Sequence, residues 1–134
     1  MSVSHPIISI TGSSGAGTTS VQRVFAQIFR REGVTAAFVE GDAFHRYDRA
    51  DMKVVMKEEA EKGNNHFSHF GPESNVLDKL EAAFKGFSES GVAKYRHYIH
   101  DECEEEMYGS PPGTFTDWVD TPHDAELLFY EGLH

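Results

Sequence analysis

Residues 12–20 of this 134-residue chain read Gly12-Ser13-Ser14-Gly15-Ala16-Gly17-Thr18-Thr19-Ser20, a glycine-rich stretch of the kind that cradles phosphate. Glycine accepts backbone angles that turn successive amides inward. The N–H groups of Gly15, Gly17, Thr18 and Thr19 can therefore converge on phosphate oxygens, and a following helix adds the positive end of its dipole. The spacing fits G-x-x-x-x-G-K-[ST] at Gly12, Gly17 and Thr19 but puts Thr18 where the lysine stands. A nucleoside triphosphate is the guest such a loop implies, with the Thr19 hydroxyl on Mg²⁺. Without the lysine, the β- and γ-phosphates need a cation from elsewhere, and a lysine or arginine beyond His134 is one candidate.

Two acids complete a phosphoryl-transfer set. Asp42 follows a short apolar run and suits a general base that takes the proton of an acceptor hydroxyl attacking the γ-phosphorus; a helix cap or turn is its other reading. Glu131 ends a second apolar run and suits a Mg²⁺ ligand or water anchor, its other reading being a strand-terminal surface acid. His45 and Arg49, four apart, share a face if the segment after Asp42 is helical, and could grip an anionic substrate. His100 with Arg96 or Tyr98 could reach the same pocket, Arg49 being suited to bidentate phosphate recognition. The basic residues near Asp42 favour an acceptor that already carries phosphate. The eight histidines form no metal-ligand spacing such as H-E-x-x-H.

These residues need elements to hold them. Ile7, Ile8 and Ile10 predict a strand before the glycine loop, and Val21, Val24, Phe25, Ile28 and Phe29 predict a helix from Thr18 or Thr19 to about Arg31, stopped by Gly33. Ala36–Val39 reads as a buried strand ending in Glu40-Gly41-Asp42, which makes a βαβ unit of a parallel α/β sheet with Gly12 and Asp42 at its carboxyl edge. Helices are expected over 50–62 and 73–87, with an aromatic loop over 66–72 between them. Residues 93–100 alternate like a two-faced strand. An acidic run over 101–106 reads as a solvated turn or helix start, and 109–116 with Pro111-Pro112-Gly113 as a loop. Leu127–Tyr130 reads as a buried parallel strand that delivers Glu131. Such a strand needs a following element to cover it, so a fragment of a larger fold is expected.

Composition bounds the function. The chain has 22 acidic and 12 basic residues, a formal charge of −10, which disfavours a broad nucleic-acid or anionic-membrane surface; any anion site is local. Cys103 is the only cysteine, so no intrachain disulfide forms, and its acidic surroundings make it incidental rather than nucleophilic. No signal-peptide h-region and no apolar run near ~20 residues are present, so a cytoplasmic location is the default.

Taken together, HPIISITGSSGAGTTS, EGDAFHRYDRADM, FSHFGPESN, YIHDE, PGTFTDW and LLFYEGLH resemble the bacterial type of the phosphoribulokinase family, from His5 to His134. A lysine-free GSSGAGT loop is itself characteristic of that family. The resemblance implies a three-layer P-loop α/β fold with a mainly parallel sheet, residues 1–134 forming the N-terminal portion of the kinase domain. It implies ATP-dependent phosphorylation of D-ribulose 5-phosphate to ribulose 1,5-bisphosphate in the Calvin cycle, with Mg²⁺. Carried over residue by residue, Gly12–Ser20 is similar to the ATP site and Asp42 to the catalytic base. His45, Arg49, Tyr98 and His100 are similar to the sugar-phosphate contacts, Glu131 to the metal-associated acid, and Arg31 to a residue of the response to the effector NADH. Homo-oligomers are implied for the full-length protein, and the family's second acid and basic cluster lie outside this chain. A uridine-kinase-like phosphotransferase and a nucleotide-binding module without turnover are the alternatives.

Overall fold

The computed structural model describes residues 4–12, 17–64, 67–68 and 71–132. Ser13–Ala16 of the glycine loop, the Thr19 side chain and His66, His69 and Phe70 of the aromatic loop lie outside the described residues.

Three strands form the central sheet: β1 (Ile7–Thr11), β2 (Ala36–Glu40) and β5 (Leu127–Gly132). Their order is β1-β5-β2 and both pairings are parallel, with Ile10 opposite Glu131 on one side and Glu40 opposite Glu131 on the other. The expected βαβ unit is therefore opened by a late strand that sits between its two halves. The apolar run Leu127–Tyr130 explains this placement, since only the central position buries both of its faces. Leu128, Phe129 and Tyr130 are all essentially inaccessible.

One helix covers each face. On the first, α1 (Thr18–Glu32) sets Phe25 and Phe29 against Phe129, with ring centroids 5.2 and 6.0 Å away, and Phe29 against Phe38 at 6.2 Å. On the second, α3 (Leu77–Ser90) packs Leu80, Ala83 and Phe87 with Ala37, Val39, Leu128 and Tyr130, and Phe84 meets Tyr130 edge-on at 5.2 Å. The alternation along β2 and β5 thus sends Phe38 and Phe129 to α1, and Val39, Leu128 and Tyr130 to α3. The result is the expected three-layer α/β arrangement. Gly33 ends α1 in the left-handed conformation at φ 70°, with Arg30 and Arg31 in the last turn where the helix dipole favours cations.

The remaining elements build the rim above the carboxyl edge. A 3-10 turn over Gly41–Phe44 follows β2, and α2 (Arg49–Glu61) starts at Asp48, whose carboxylate accepts from the Asp51 amide at 2.9 Å. The helix expected from Glu73 starts only at Leu77. A 3-10 turn over Pro72–Ser74 precedes it, because Ser74 and Asn75 are buried and committed to loop contacts, the Asn75 amide donating to Gly71 O at 2.8 Å.

The alternating strand over 93–100 shrinks to β3 (Lys94–Tyr95), paired antiparallel with β4 (Val119–Asp120), plus a Tyr98–Phe115 bridge. The acidic run becomes α4 (Glu102–Tyr108), capped by Asp101. Among the described residues, no helix is long and apolar enough to cross a membrane.

Candidate active site

Parallel pairing brings Thr11, Glu40 and Glu131 to one edge, and the loop that leaves β1 there leads into α1. Gly12 follows β1 directly, and Gly17 sits at the N-cap of α1 with φ 85°, a left-handed conformation that suits glycine. Glycine at the N-cap brings no capping side chain of its own, so the first-turn amides suit an oxyanion. The backbone of Thr18, Thr19 and Ser20 forms that first turn. Thr18, in the lysine's place, donates its hydroxyl to Glu131 Oε1 and so ties the glycine loop to β5.

Asp42 lies one residue into the 3-10 turn, between two histidines. His100 Nε2 is 3.2 Å from Asp42 Oδ2 and His45 Nε2 is 3.6 Å from Oδ1. These hydrogen bonds, His100 first and His45 second, hold the Asp42 carboxyl well below the usual carboxylate range. His100 is raised to about 9, chiefly by its bond to Asp42. Its Nδ1 lies 3.2 Å from both oxygens of Glu104, so both ring nitrogens face carboxylates and an imidazolium satisfies both.

His45 is set from behind. The Asn75 amide donates to Gly71 O, so its oxygen faces His45 Nδ1 at 2.9 Å and fixes the ring with Nε2 turned toward Asp42. Burial pushes the Glu40 carboxyl up from its ordinary value.

Asp42 lines two cavities. One, about 350 Å³, is walled by Asp42, His45, Tyr47, Asp48, Arg49, Lys53 and Tyr98, with Met52 and Met56; the Asp48 carboxylate caps α2, which leaves Arg49 and Lys53 as the cavity's cations. The other, about 260 Å³, is walled by Gln22, Glu40, Asp42, His100, Glu104 and Glu131. The first suits an anion and the second a cation or its complex. Glu131 offers a hard oxygen donor of the kind Mg²⁺ takes, while the Thr19 side chain lies outside the described residues. Mg²⁺ normally keeps waters and substrate phosphates as its other ligands, so one or two protein donors suffice.

His45 and Arg49 reach the same cavity, but not from one helix. His45 is extended at φ −65°, ψ 144°, and Arg49 opens α2. Arg49 is instead placed by a close approach: its amide donates to Gly113 O at 2.8 Å, and Gly113 has φ 82° with space for no Cβ, which would fall 2.8 Å from Arg49 Cβ. The cation cluster over 94–100 disperses. Lys94 pairs with Asp120 at 2.6 Å and His97 stacks on Tyr108 at 4.4 Å.

Arg96 does not line the pocket. It donates to Ala43 O and His45 O, both at 2.7 Å, beneath the Asp42 turn, its guanidinium 3.6 Å from the Phe115 ring centroid. Burial lowers it to about 10. Of that cluster, His100 pairs with Asp42, while Tyr98 lines the anion cavity.

Arg31 lies apart. Its side chain is 75% exposed beside Glu32, thirteen residues along α1 from Thr18, a span of about 20 Å. Lys53, Glu40, Glu104 and Gln22 were not picked out from the sequence. Lys53 sits one turn beyond Arg49 on α2, a spacing that could have flagged it. Glu40 could have been found as the acid ending a buried strand.

Comparison with known proteins places this geometry in a family. The model of the Phosphoribulokinase / Uridine kinase family matches residues 7–134. Phosphoribulokinase of Nitrobacter vulgaris is 62% identical over 130 residues, covering 97% of this chain and 45% of that protein. The chromosomal phosphoribulokinase of Cupriavidus necator is 58% identical over 134 residues, 100% of this chain and 46% of that protein. The solved phosphoribulokinase from Rhodobacter spheroides superposes with a TM-score of 0.85 at 50% identity, covering 98% of this chain and 44% of that one. D-glycerate 3-kinase from Cryptococcus neoformans var. grubii, 12% identical with a TM-score of 0.52, covers 96% of this chain and 42% of that chain and shares the fold alone. This chain thus spans under half the length of the curated relatives it matches. By the family match and by the three-layer sheet that carries its glycine loop and Asp42, the chain belongs to the phosphoribulokinase / uridine kinase family.

Proposed function

We propose that these residues belong to a phosphoribulokinase, a phosphotransferase with an alcohol acceptor that converts D-ribulose 5-phosphate and ATP to ribulose 1,5-bisphosphate and ADP, as in the Calvin cycle, in the cytoplasm. The observation that carries the reading is Asp42 standing in the shared wall of a cation-lined and an acid-lined cavity, in a chain whose net charge is −10. A phosphorylated acceptor accounts for the first cavity and a metal–nucleotide complex for the second. ATP supplies the phosphoryl group and Mg²⁺ neutralises its charge when they are bound.

Gly12–Ser20 is the nucleotide cradle in this reading, with Thr19 and Glu131 as the metal side of the site. Arg49 and His45 hold the acceptor's phosphate, with Tyr98 and His100 on its sugar. Asp42 takes the proton of the acceptor's C1 hydroxyl as that oxygen bonds to the γ-phosphorus and the bond to the ADP oxygen breaks. A carboxylate held by two imidazoles is a weak base. Catalysis therefore requires the acceptor hydroxyl to displace His100 Nε2 from Asp42 Oδ2, which raises the carboxylate's proton affinity at the moment of transfer and releases a cationic ring to the substrate. Arg31, remote from this chemistry, is assigned to a response to NADH, and the full-length protein to a homo-oligomer.

The test is an acceptor assay on a protein carrying this sequence at the length of its relatives. Phosphorylation of ribulose 5-phosphate with uridine left untouched is expected; the reverse preference overturns the reading. Calorimetric titration of the 134-residue chain with ATP and Mg²⁺ addresses the nucleotide side by itself.

A further inference from the structure

The acidic run over 101–106 reads in the sequence as a solvated helix start, yet one of its members reaches into the site. Asp101-Glu102-Cys103-Glu104 forms a capping box. The Asp101 carboxylate accepts from the Glu104 amide at 3.0 Å, and the Glu104 side chain turns back over the start of α4. In the usual box that side chain meets the N-cap amide. Here it goes one residue further, accepting from the His100 amide at 3.1 Å while both of its oxygens lie 3.2 Å from His100 Nδ1. One carboxylate thereby holds both the backbone and the ring of His100.

The opposite ring nitrogen meets Asp42 at 3.2 Å, and Arg49 Nη2 lies 3.5 Å from the His100 carbonyl. The Tyr98 ring stands edge-on at 5.0 Å. The charged groups around His100 are therefore Glu40 from the end of β2, Asp42 from the turn after it, Glu104 from α4 and Arg49 from α2, with Glu131 in the same cavity wall.

We propose that Glu104 is a positioning residue that fixes the His100 imidazole with Nε2 aimed at Asp42, so that the ring stands ready to pass from the base to the acceptor. The inference rests on the acceptor reading given above only for what His100 does next; the clamp itself is independent of it. A flexible ring would have to be ordered when the acceptor binds, and ordering a side chain at that step weakens binding. A ring already held by Glu104 moves its Nε2 contact from one oxygen acceptor to another with little further ordering. The negative charge of Glu104 also supports the imidazolium after Asp42 lets go of it.

The experiment follows the His100 ring by NMR in the 134-residue chain, with Glu104→Gln, Glu104→Ala and, as a control, Asp101→Asn. Asparagine keeps the cap and removes a nearby charge, so it leaves the His100 titration unchanged apart from a small screening effect. Glu104→Gln keeps the capping geometry and an acceptor for Nδ1–H but removes the charge, and lowers the His100 titration by about one unit. Glu104→Ala lowers it as well and abolishes the protected Nδ1–H signal. Calorimetry with ribulose 5-phosphate, on the same variants in a protein carrying this sequence at the length of its relatives, is expected to show affinity weakened about tenfold in Glu104→Ala and less in Glu104→Gln. A His100 titration and an Nδ1–H signal unmoved by both substitutions overturn the role of Glu104. A protein carrying this sequence at the length of its relatives in which His100 responds as described but ribulose 5-phosphate does not bind overturns the acceptor reading instead.

Discussion

The two cavities that meet at Asp42 are built from different parts of the chain. The acid-lined one takes Glu40 and Glu131 from the ends of adjacent parallel strands, whose register is set by a buried core around Leu128, Phe129 and Tyr130. The cation-lined one takes His45 from an extended segment, Arg49 and Lys53 from the start of α2, and Tyr98 from the loop after β3. In the proposed reading the nucleotide side is therefore anchored in the core of the fold. The proposed acceptor side is assembled from rim segments held by contacts between loops, such as Arg49 to Gly113 and His45 to Asn75. Specificity in such a design lies where the chain can vary without unfolding, and phosphoryl chemistry lies where it cannot.

The largest break in this division comes at the shared wall. In a protein carrying this sequence at its relatives' length, Asp42→Asn is expected to lower kcat on the order of a thousandfold with nucleotide affinity nearly intact, read by steady-state kinetics and calorimetry. A mild loss would remove Asp42 from the base role. Next, Arg49→Ala should raise the KM for ribulose 5-phosphate about thirtyfold without altering that for ATP, and Arg49→Lys should recover only part of it, because one ammonium cannot make the bidentate contact. Equal effects on both substrates would dissolve the distinction between the cavities. Glu131→Gln should act the other way, raising the Mg²⁺ concentration for half-maximal rate about tenfold and leaving the acceptor KM alone.

Gly113→Ala tests the rim. Its φ of 82° and the 2.8 Å approach to Arg49 Cβ predict a destabilisation of about 1–3 kcal/mol by urea unfolding. The acceptor KM should rise with it, while nucleotide binding, held by the sheet edge, stays put.

The smallest effect is on pH-dependent stability. His100 is raised from 6.5 to about 9, so its contribution is complete below about 6.5 and is lost as pH rises through 9. Asp42 is lowered from 3.8, so its contribution is present above that value and fades as pH falls. Both report one half-exposed pair and are counted once, with screening by solvent keeping the effect small. His100→Asn should flatten the alkaline limb of a urea-midpoint profile; an unchanged limb would show that the pair adds nothing to folding.

Much of the sheet edge that carries Glu131 was legible in the sequence because its signals are local. Three isoleucines, a glycine run and a helical apolar stripe lie within 30 residues and specify β1, the loop and α1 without reference to anything distant. Leu127–Tyr130 announced a buried strand by composition; Glu131 lies in that strand, and Asp42 stands two residues past the end of β2. The insertion of β5 between β1 and β2 was not legible, because it pairs residue 7 with residue 128, and periodicity carries no partner information.

The acceptor side was harder. Arg96 looked like a pocket cation, but it faces two backbone carbonyls across a gap of some fifty residues. Glu104 looked like one acid in a run of acids, and only the capping geometry separates it from Glu102, Glu105 and Glu106. The start of α3 was misplaced by four residues because the burial of Ser74 and Asn75 is a tertiary fact.

The division itself is tested most directly by NMR of the isotopically labelled 134-residue chain, titrated separately with ribulose 5-phosphate and with ATP and Mg²⁺. The sugar phosphate is expected to shift the signals of His45, Arg49, Lys53 and Tyr98, and the nucleotide those of Gly17, Gln22 and Glu131. Asp42 should respond to both. Sugar phosphate perturbing the end of β5, or nucleotide perturbing the start of α2 to the same degree, would contradict the division.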